Sequence, residues 1–417
     1  MKGLVAAAAI AAVLVPASPA FAGDEAAARA AARRGAEWLR GLQQPDGSGL
    51  GGFGLTALAA GGVHPADVRV SDGPSAQERA QADWAASGAG PRGTDLARSL
   101  LAAHAAGIDP TLITEQRNFV AETLALFDGQ RLYDPGAASS LSDDIFGTLG
   151  LAAVGAPQPI LDALAAFVRS QQTASGGWNF TEGAANASVD MTGAAVGALC
   201  AAGVPASDPA LAKALAFLRE RQDPVTAGWG QNSDTTGWVV SGLRLCREEL
   251  ASWARNGRDP LDDLMSRQLP SGGFRWRDTD TTENALATLD SIRPLGGAGF
   301  TADPPGGRRL APPRVPDGTE VPVGVVVDYG VAVRACAARA PVGAPLETAI
   351  TAAPCVSEWG TGAWTVAHRD ASGVVRAGDV ISLRRTIPPA VAPLPVPAVS
   401  APARVARETH ITRVVRR

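Results

Sequence analysis

The sequence is poor in charge, in aromatic residues and in lysine. Of its 417 residues, 19% are charged and 5% are aromatic, and lysine occurs only at Lys2 and Lys213. The formal net charge is −4, which argues against a nucleic-acid partner because phosphate neutralisation needs clustered Lys and Arg. With 46% hydrophobic residues, the chain can nevertheless bury one large core and a smaller one.

Long apolar runs are also missing, apart from one at the N-terminus. The run from Leu4 to Val15 precedes the small-residue site Ala20-Phe21-Ala22, a pattern typical of a secretory signal peptide over residues 1–22. This run is too short to span a membrane stably, and no later stretch is long and apolar enough to do so. No cysteine follows the cleavage site to carry a lipid anchor. We therefore expect a secreted or extracytoplasmic bacterial protein of the periplasm or cell envelope.

The chain has only four cysteines and four histidines. Disulfides persist outside the cytoplasm, and pairing Cys200 with Cys246 and Cys336 with Cys355 is the simplest of three connectivities. Free buried cysteines are the alternative for the first pair. The histidines show no ligand spacing with one another or with the cysteines, which argues against a zinc site. They are His64, His104, His368 and His410.

One repeated stretch organises the chain. A helix-like segment ends at Gln172, the turn Ser175-Gly176-Gly177-Trp178 follows, and Asp190-Met191-Thr192-Gly193 opens a helix of small residues. The same order returns at Gln222 and Gln268, after 50 and 46 residues, a spacing that indicates a helical repeat protein. The later turns are Ala227-Gly228-Trp229 and Gly272-Gly273-Phe274, and the later openings are Asp234-Thr235-Thr236-Gly237 and Asp278-Thr279-Asp280-Thr281-Thr282.

Six helical hairpins are expected between residues 24 and 295. The first helix of each is amphipathic, and small residues in the second let helices crowd together. We predict a mainly α fold, a six-hairpin α/α toroid with the small-residue helices as the inner ring. The outer helices have start signals at Ser75 to Glu78, Asp109-Pro110, Asp208-Pro209 and Asp259-Pro260. The inner helices are expected to open at Thr94, Ser142, Val189, Ser233 and Thr279.

The composition changes beyond Ile292. Residues 296–320 are rich in Gly and Pro, which predicts a linker, and residues 321–386 predict a small β-rich C-terminal domain. Residues 387–417 form a Pro-rich, basic tail that we expect to be disordered, with envelope association as its candidate role. The expected strands are Val323–Tyr329, Val331–Ala338, Trp364–His368 and Val374–Leu383, with a hairpin turn at Asp370 to Gly373.

The pattern of a glutamine, a spacer and Gly-Gly-aromatic resembles the QW-type repeat of squalene cyclases and protein prenyltransferase β-subunits. The resemblance covers roughly residues 24–292, with a weaker copy at Gln43 to Phe53, and it implies a fold more than an activity. It also implies that glutamine and aromatic side chains join the outer helices to neighbouring repeats. These residues are Gln172, Trp178, Gln222, Trp229, Gln268 and Phe274; an aromatic stripe that binds sugar or lipid is the alternative.

In these families the chemistry lies where the inner helices open. Prenyltransferases use Asp-x-Cys and a His there, and this chain has neither, so protein prenylation is not expected. Squalene-hopene type cyclases use Asp-x-Asp-Asp, which Asp278 to Thr281 resembles without the last aspartate. By this resemblance Asp280 would be the proton donor and Asp278 its neighbour, since a buried acid beside a carboxylate can be held protonated.

The acids at the inner-helix openings have two interpretations. Asp and Thr at a helix start can simply cap it, since they accept backbone N–H bonds. A closed toroid would instead bring them to one polar mouth, which would be a ligand site. The residues expected there are Asp95, Asp144, Asp190, Asp234, Thr236, Trp238 and Thr281.

A third resemblance is to exported cobalamin carriers of the intrinsic factor and transcobalamin type. Their layout is similar, with a six-hairpin toroid, a β domain and the corrinoid between them, although no motif carries over residue by residue. We therefore expect a secreted binder of a small or lipidic ligand, without catalysis and without a resident cofactor. The β domain would cover the mouth or attach to the envelope. A class II terpenoid cyclase and a cobalamin carrier are the alternatives.

Overall fold

A computed structural model describes residues 24–87, 93–134, 140–330, 332–357, 364–367 and 372–385. The predicted signal peptide and the predicted C-terminal tail lie outside these ranges, as do His368 and His410. Within the described residues the protein is mainly helical, as predicted, with fourteen α-helices and one small four-stranded sheet. None of the described helices has the length and apolar character needed to cross a membrane.

Twelve helices precede the sheet and alternate between two roles. The odd-numbered ones are outer helices and the even-numbered ones are inner helices. In chain order they are α1 (Glu25–Arg40), α2 (Gly52–Ala60), α3 (Ala76–Ala86), α4 (Gly93–Ala105), α5 (Phe119–Leu124), α6 (Leu141–Ala153), α7 (Gln158–Ser170), α8 (Val189–Ala201), α9 (Pro209–Arg221), α10 (Ser233–Leu245), α11 (Pro260–Met265) and α12 (Ala285–Leu295).

The inner helices form a closed ring of contacts. Each of them contacts the next one along the chain, and α12 returns to contact α2. Outer helix α1 also lies against α12, so the last repeat packs on the first. The count of six full hairpins stays a prediction, because α5 and α11 have only six residues each.

Small residues explain how closely the inner helices approach one another. A Cβ added at Gly242 of α10 would lie 1.9 Å from the carbonyl oxygen of Gly193 in α8, a distance that no side chain can accept. The disulfide Cys200–Cys246 joins the far ends of the same two helices, with 5.1 Å between the Cα atoms. This pairing confirms the sequence prediction.

The repeated glutamines bind consecutive outer helices together. The Gln172 amide donates to the Gly176 carbonyl at 2.7 Å and to Ala210 of α9 at 2.8 Å. Gln268 makes the equivalent bonds to Gly272 and to Ala31 of α1, and so joins the last repeat to the first.

The repeated aromatic residues are structural. Trp178, Trp229 and Phe274 are fully buried, and the Trp178 and Trp229 indoles donate to backbone carbonyls of α7 and α9. Full burial contradicts the alternative of an exposed aromatic stripe, because no sugar or lipid could reach these rings. The assignment of the repeated residues to structure agrees with these contacts.

Two predicted helix starts are wrong. Outer helix α5 begins at Phe119, with Asn118 as its N-cap, whereas Asp109 binds the amide and hydroxyl of Thr111 in a turn. Inner helix α12 begins at Ala285 with Asn284 as its N-cap. The segment around Thr279 is therefore a loop that precedes the helix.

The Gly- and Pro-rich segment after α12 is ordered and packs across the far ends of the inner helices. We call residues 296–312 the strap. Phe300 is 1% exposed and packs against ring side chains. The Leu310 amide donates to the Gly107 carbonyl at 2.7 Å, and His64 Nε2 lies 3.0 Å from the Arg308 carbonyl oxygen. The first part of the predicted linker therefore closes one end of the ring.

The sheet is mixed and has the order β2-β1-β4-β3. Strand β1 pairs antiparallel with β2 and parallel with β4, and β3 pairs antiparallel with β4. The strands are β1 (Glu320–Asp328), β2 (Val333–Pro341), β3 (Trp364–Ala367) and β4 (Val380–Arg385), with two short helices, α13 (Leu346–Ala352) and α14 (Pro354–Ser357), between β2 and β3. The last strand begins six residues later than predicted.

The predicted disulfide Cys336–Cys355 is confirmed and joins β2 to α14. The described part of the sheet does not cover the ring opening, contrary to one expectation. Its strands β1 and β2 contact outer helices α5 and α7 at the side of the ring. Along this side, Arg339 of β2 binds Gln116, and Arg334 lies against Gly129.

Candidate functional site

The inner helices all start at the end of the ring opposite the strap. We call this end the mouth. The N-caps there are Ser and Asn side chains rather than aspartates. Ser188 accepts from the Met191 amide, Asn232 from the Thr235 amide at 2.7 Å, and Asn284 from the Ala287 amide at 2.9 Å. The capping interpretation of Asp190 and Asp234 is therefore wrong, and these carboxylates are available for other contacts.

Four inner helices place a large side chain at the same depth inside the ring. Each of these residues lies five positions after the first residue of its helix. Because the helices run side by side, equal depth brings the four side chains together. We call this set the interior layer: Arg98 of α4, Phe146 of α6, Trp238 of α10 and Asp290 of α12.

Aromatic rings line the interior. Phe146 lies 5.6 Å from Trp238 and 6.1 Å from Phe53 of α2, measured between ring centroids. Phe300 of the strap packs edge-on against Phe146 at 6.0 Å and Trp238 at 5.6 Å. Such edge-to-face pairs are favourable beyond the area they bury. The strap therefore contributes Phe300 to the aromatic interior of the ring.

Two arginines share this aromatic interior. The guanidinium of Arg98 lies 4.8 Å from the ring centroids of Phe53 and Phe146. That of Arg293 lies 4.8 Å from Phe53 and 5.4 Å from Phe300. Arg293 is fully buried and pairs with Asp290, whereas Arg98 and Phe53 remain half-buried. Solvent therefore reaches this depth from the mouth.

Burial raises the pKa of Asp290 well above its ordinary value, while Arg293 opposes the shift and Asp234 adds to it. Asp234 itself is half-buried. A neutral carboxyl is the cheaper form of an acid in such a low-dielectric site. The interior thus contains a buried acid that the sequence reasoning did not single out.

Asp190 lies beside this group, at the start of α8. Burial raises its pKa, a hydrogen bond with Thr235 opposes the shift, and the charge of Asp234 adds to it. Its Oδ1 is buried and has no partner among the described residues. Of the predicted mouth residues, the structure therefore brings Asp190, Asp234 and Trp238 together.

Asp144 does not face the mouth. Its Oδ1 accepts the Leu132 amide at 2.7 Å, in the loop that follows α5. Burial raises the pKa of Asp144 to about 8, and the bond from Leu132 only partly offsets this. The role predicted for Asp144 in binding a ligand at the mouth stays a prediction.

Thr236 is also occupied by structural contacts. Its hydroxyl accepts the Trp229 amide at 2.9 Å and lies 3.0 Å from Asp263 Oδ2. Thr192 and Thr288 hold the amides of Trp178 and Phe274 in the same way. These threonines fix the aromatic turns to the inner helices, so a ligand role for Thr236 finds no support in its contacts.

On the α4 side of the mouth, Asp95 is exposed. Asp143 is buried and accepts a hydrogen bond from the Thr94 hydroxyl. Burial raises the pKa of Asp143, and Thr94 opposes that shift. Asp95 and Asp143 both lie near Arg98, and their negative charges raise the pKa of its guanidinium.

The acids proposed for cyclase chemistry lie in the loop before α12. Asp278 is exposed and pairs with Arg267, 3.1 Å from its Nε. Asp280 is half-buried, and its Oδ2 accepts the Arg277 amide at 2.9 Å. Thr281 is exposed. The catalytic role of Asp280 stays a prediction, but the burial that such an acid requires is found at Asp290 instead.

Several buried polar atoms of the interior have no hydrogen-bond partner in the described part of the chain. They are Arg98 Nε, Asp190 Oδ1, and Nε and Nη1 of Arg293. Buried donors and acceptors are normally satisfied, so this group is suited to a polar ligand or to water. Across the described ranges, no group of three or more His, Cys, Asp or Glu side chains is arranged to hold a metal ion.

Neither a protein-family model nor a curated protein matches the sequence. Several solved structures resemble it at 10 to 15% identity. Candida albicans protein geranylgeranyltransferase-I in complex with GGPP is 15% identical, with a TM-score of 0.38 over 49% of this chain. The match spans 66% of the transferase chain, just under two thirds of its length.

Two other solved structures match more of their own length. A variant of the type II terpene cyclase MstE from Scytonema, in complex with geranylgeranyl dihydroxybenzoate, is 14% identical with a TM-score of 0.46, over 66% of this chain and 98% of the cyclase. Haptocorrin in complex with Cbi is 10% identical with a TM-score of 0.36, over 86% of this chain and 97% of haptocorrin. Each of these likenesses is partial.

Sequence reasoning missed Arg98, Asp290, Arg293 and Phe300. Arg98 and Asp290 stand at the same distance from the start of their inner helices as Trp238 does, but the start of α12 was predicted six residues too early, and the sequence alone does not show which side chains of a small-residue helix point inward. Phe300 could not be found either, because a single aromatic residue in a Gly- and Pro-rich segment gives no periodic signal.

Proposed function

We propose that this chain is a six-hairpin toroid of the squalene cyclase and prenyltransferase repeat family that acts outside the cytoplasm. Its function is to bind a small or lipidic ligand in the recess between the mouth and Phe300, without catalysis. The extracytoplasmic location is supported by the two disulfides, which persist in oxidising compartments.

The observation that carries the proposal is the set of unsatisfied polar atoms among aromatic rings. Arg293 is fully buried, yet its Nη1 has no partner among the described residues, and neither has Oδ1 of Asp190 at the start of α8. Leaving such groups unpaired costs about 1 to 3 kcal/mol each. A ligand that satisfies them would recover part of this free energy, which is how polar groups orient ligands in largely apolar pockets.

The surface around the mouth supports a lipidic ligand. Phe180, Trp276 and Leu286 are 44%, 38% and 53% exposed. The Phe180 carbonyl accepts the amide of Leu141 at the start of α6, and the Trp276 carbonyl accepts that of Ser233 at the start of α10. Exposed large apolar side chains grouped around an opening are typical of surfaces that receive apolar molecules.

Native mass spectrometry of protein purified from its own host tests the proposal. We expect a co-purifying ligand on the wild type, and its loss in Trp238→Leu because the indole forms one wall of the recess. Trp38→Leu is the matched control, since Trp38 lies half-buried on outer helix α1 and should leave the ligand in place. Wild-type protein that carries no ligand would contradict the proposal and favour a structural envelope role.

The alternative is a class II terpenoid cyclase. It is favoured by the buried acid Asp290 beside Asp234, Trp238 and Phe300, since a protonated acid among aromatic walls suits alkene protonation. Conversion of a polyprene by the wild type and not by Asp290→Asn would establish this reading and overturn the binding proposal. Loss of polyprene conversion in Asp280→Asn but not in Asp290→Asn would instead assign proton donation to Asp280, as the sequence predicts.

A corrinoid carrier is the second alternative, and it is favoured by two clefts between the ring and the sheet. One cleft of about 630 Å³ lies between Phe167 of α7 and Val333 and Arg384 of the sheet. The other, also about 630 Å³, lies between Gln158 and Ser382. Titration with cyanocobalamin, followed by the corrin absorption band, tests this reading, and an unchanged spectrum at equimolar protein would exclude it.

A further inference from the structure

Two guanidinium groups lie close to the same aromatic ring in the interior. Arg98 and Arg293 both lie 4.8 Å from the Phe53 ring centroid, so their guanidinium carbons are within twice that distance of each other. Asp290 pairs with Arg293. Within the described residues, no carboxylate forms an ion pair with Arg98.

The neighbouring carboxylates do not compensate Arg98 directly. Asp143 is held by the Thr94 hydroxyl, and Asp95 is exposed to solvent. Burial lowers the pKa of Arg98 and the nearby charge of Arg293 lowers it further, while the charges of Asp95, Asp290 and Asp143 oppose the shift. A partly buried cation without a paired anion is costly, and its contacts with aromatic faces recover only part of that cost.

The available donors are arranged for an anion. Arg98 Nε and the Nε and Nη1 of Arg293 are buried without a partner elsewhere in the described chain. Guanidinium N–H groups donate strong, charge-assisted hydrogen bonds to carboxylates. Nη2 of Arg293 already donates to Asp290 Oδ1, and the acids near the mouth disfavour a multiply charged ligand.

We propose that the ligand of this interior carries a single carboxylate, bound between Arg98 and Arg293 with its apolar part directed toward the mouth. This inference rests on the proposed function and adds the class of ligand, an amphipathic carboxylic acid. The carboxylate accepts the unpartnered N–H groups of both arginines. Phe53 and Phe146 contact the adjoining apolar part.

The test uses a matched pair of fluorescent lipids, cis-parinaric acid and its methyl ester, with energy transfer from tryptophan as the readout. We expect wild-type protein to bind the acid at least 10-fold more tightly than the ester. Arg98→Gln should weaken acid binding by about 10- to 100-fold, the usual range for a hydrogen bond to a charged group, and leave ester binding unchanged. Arg98→Lys should restore part of the difference.

Arg40→Gln is the matched control, because Arg40 is exposed at the end of α1 and pairs with Glu37. Equal binding of acid and ester by the wild type would overturn the carboxylate inference and leave the proposed function standing. Displacement of the acid by inorganic pyrophosphate at lower concentration than by decanoate would also overturn it, in favour of a phosphate site. Binding of neither probe would count against both this inference and a lipidic ligand.

Discussion

The two ends of the helical ring are built differently. At the strap end, Phe300 fills the centre and the Leu310 amide is bound by Gly107. At the mouth, Asp190, Asp234 and the polar atoms behind them are buried or half-buried without a full set of partners. One end is built as a protein core, and the other retains groups that destabilise the fold unless something binds to them.

The strap end therefore contributes mainly to stability, whereas the mouth end contains the residues of the proposed site. Residues at the strap end should lose stability on substitution, because their contacts are complete. Residues at the mouth should gain stability or change little, because their burial is uncompensated, as is common at sites where function and stability conflict. The predictions below test this contrast.

Phe300→Ala should have the largest effect on stability. Removing a fully buried Phe leaves a cavity and should lower the free energy of unfolding by about 3 to 5 kcal/mol, measured by urea denaturation. Leu310→Ala is the control within the strap, because Leu310 is 37% exposed and should cost well under half as much. Equal losses in the two variants would mean that Phe300 does not close the ring.

Asp144→Asn tests a buried acid of inner helix α6 through pH. The folded pKa of about 8 exceeds the ordinary value of 3.8, so the folded state holds a proton that the unfolded state releases. Wild-type stability should therefore fall as pH rises from about 4 to 8, by on the order of 2 to 5 kcal/mol, and level off above. Asn keeps the acceptor for Leu132 and removes the titrating group.

The Asp144→Asn variant should show a smaller decline and be more stable than the wild type at pH 8, as measured by chemical denaturation across the pH range. Some decline should remain, because burial also raises the pKa of Asp143, Asp190 and Asp290. Asp162→Asn, at an exposed position of α7, should follow the wild-type curve. A variant curve that falls as far as that of the wild type between pH 4 and 8 would contradict the role of Asp144.

Asp190→Asn should give the smallest change. Burial raises the pKa of Asp190, so its carboxylate destabilises the fold at neutral pH, and the amide should raise the free energy of unfolding by about 0.5 to 1.5 kcal/mol. The same variant should retain less co-purified ligand in native mass spectrometry. A loss of stability in this variant would show that the Asp190 carboxylate stabilises the fold.

The parts that the sequence predicted correctly depend on local contacts. Gln172 reaches the carbonyl of Gly176, four residues away, so its role can be recognised from the motif alone. The disulfide Cys200–Cys246 follows from the repeat, because both cysteines stand at the ends of consecutive inner helices.

The start of α12 was missed for a physical reason. The threonine that binds the aromatic turn lies 14 residues after Trp178 and Phe274 but only 7 residues after Trp229. Seven residues after Phe274 stands Thr281, in the predicted helix opening. The threonine that accepts the Phe274 amide is Thr288 instead. The sequence alone does not show this difference in loop length, because it does not fix where the helix after the loop begins.

The interior layer was missed because it depends on closure of the ring. A helix of small residues has no single apolar face, so its sequence does not say which side chains point inward. Only the contacts of each inner helix with two neighbours decide that Arg98 and Asp290 face the same space. The motifs therefore predicted where the ring opens but not which side chains line its interior.

The bond from Gln268 to Ala31 sets this molecule apart from open repeat arrays. A linear solenoid exposes an apolar face at each end and needs special terminal units to cover it. Here the last unit meets the first, so there is no end to cover and no place to add another unit without breaking an existing interface. The size of the ring interior is thereby fixed by the circumference, and evolution can vary it only by changing side chains or the strap.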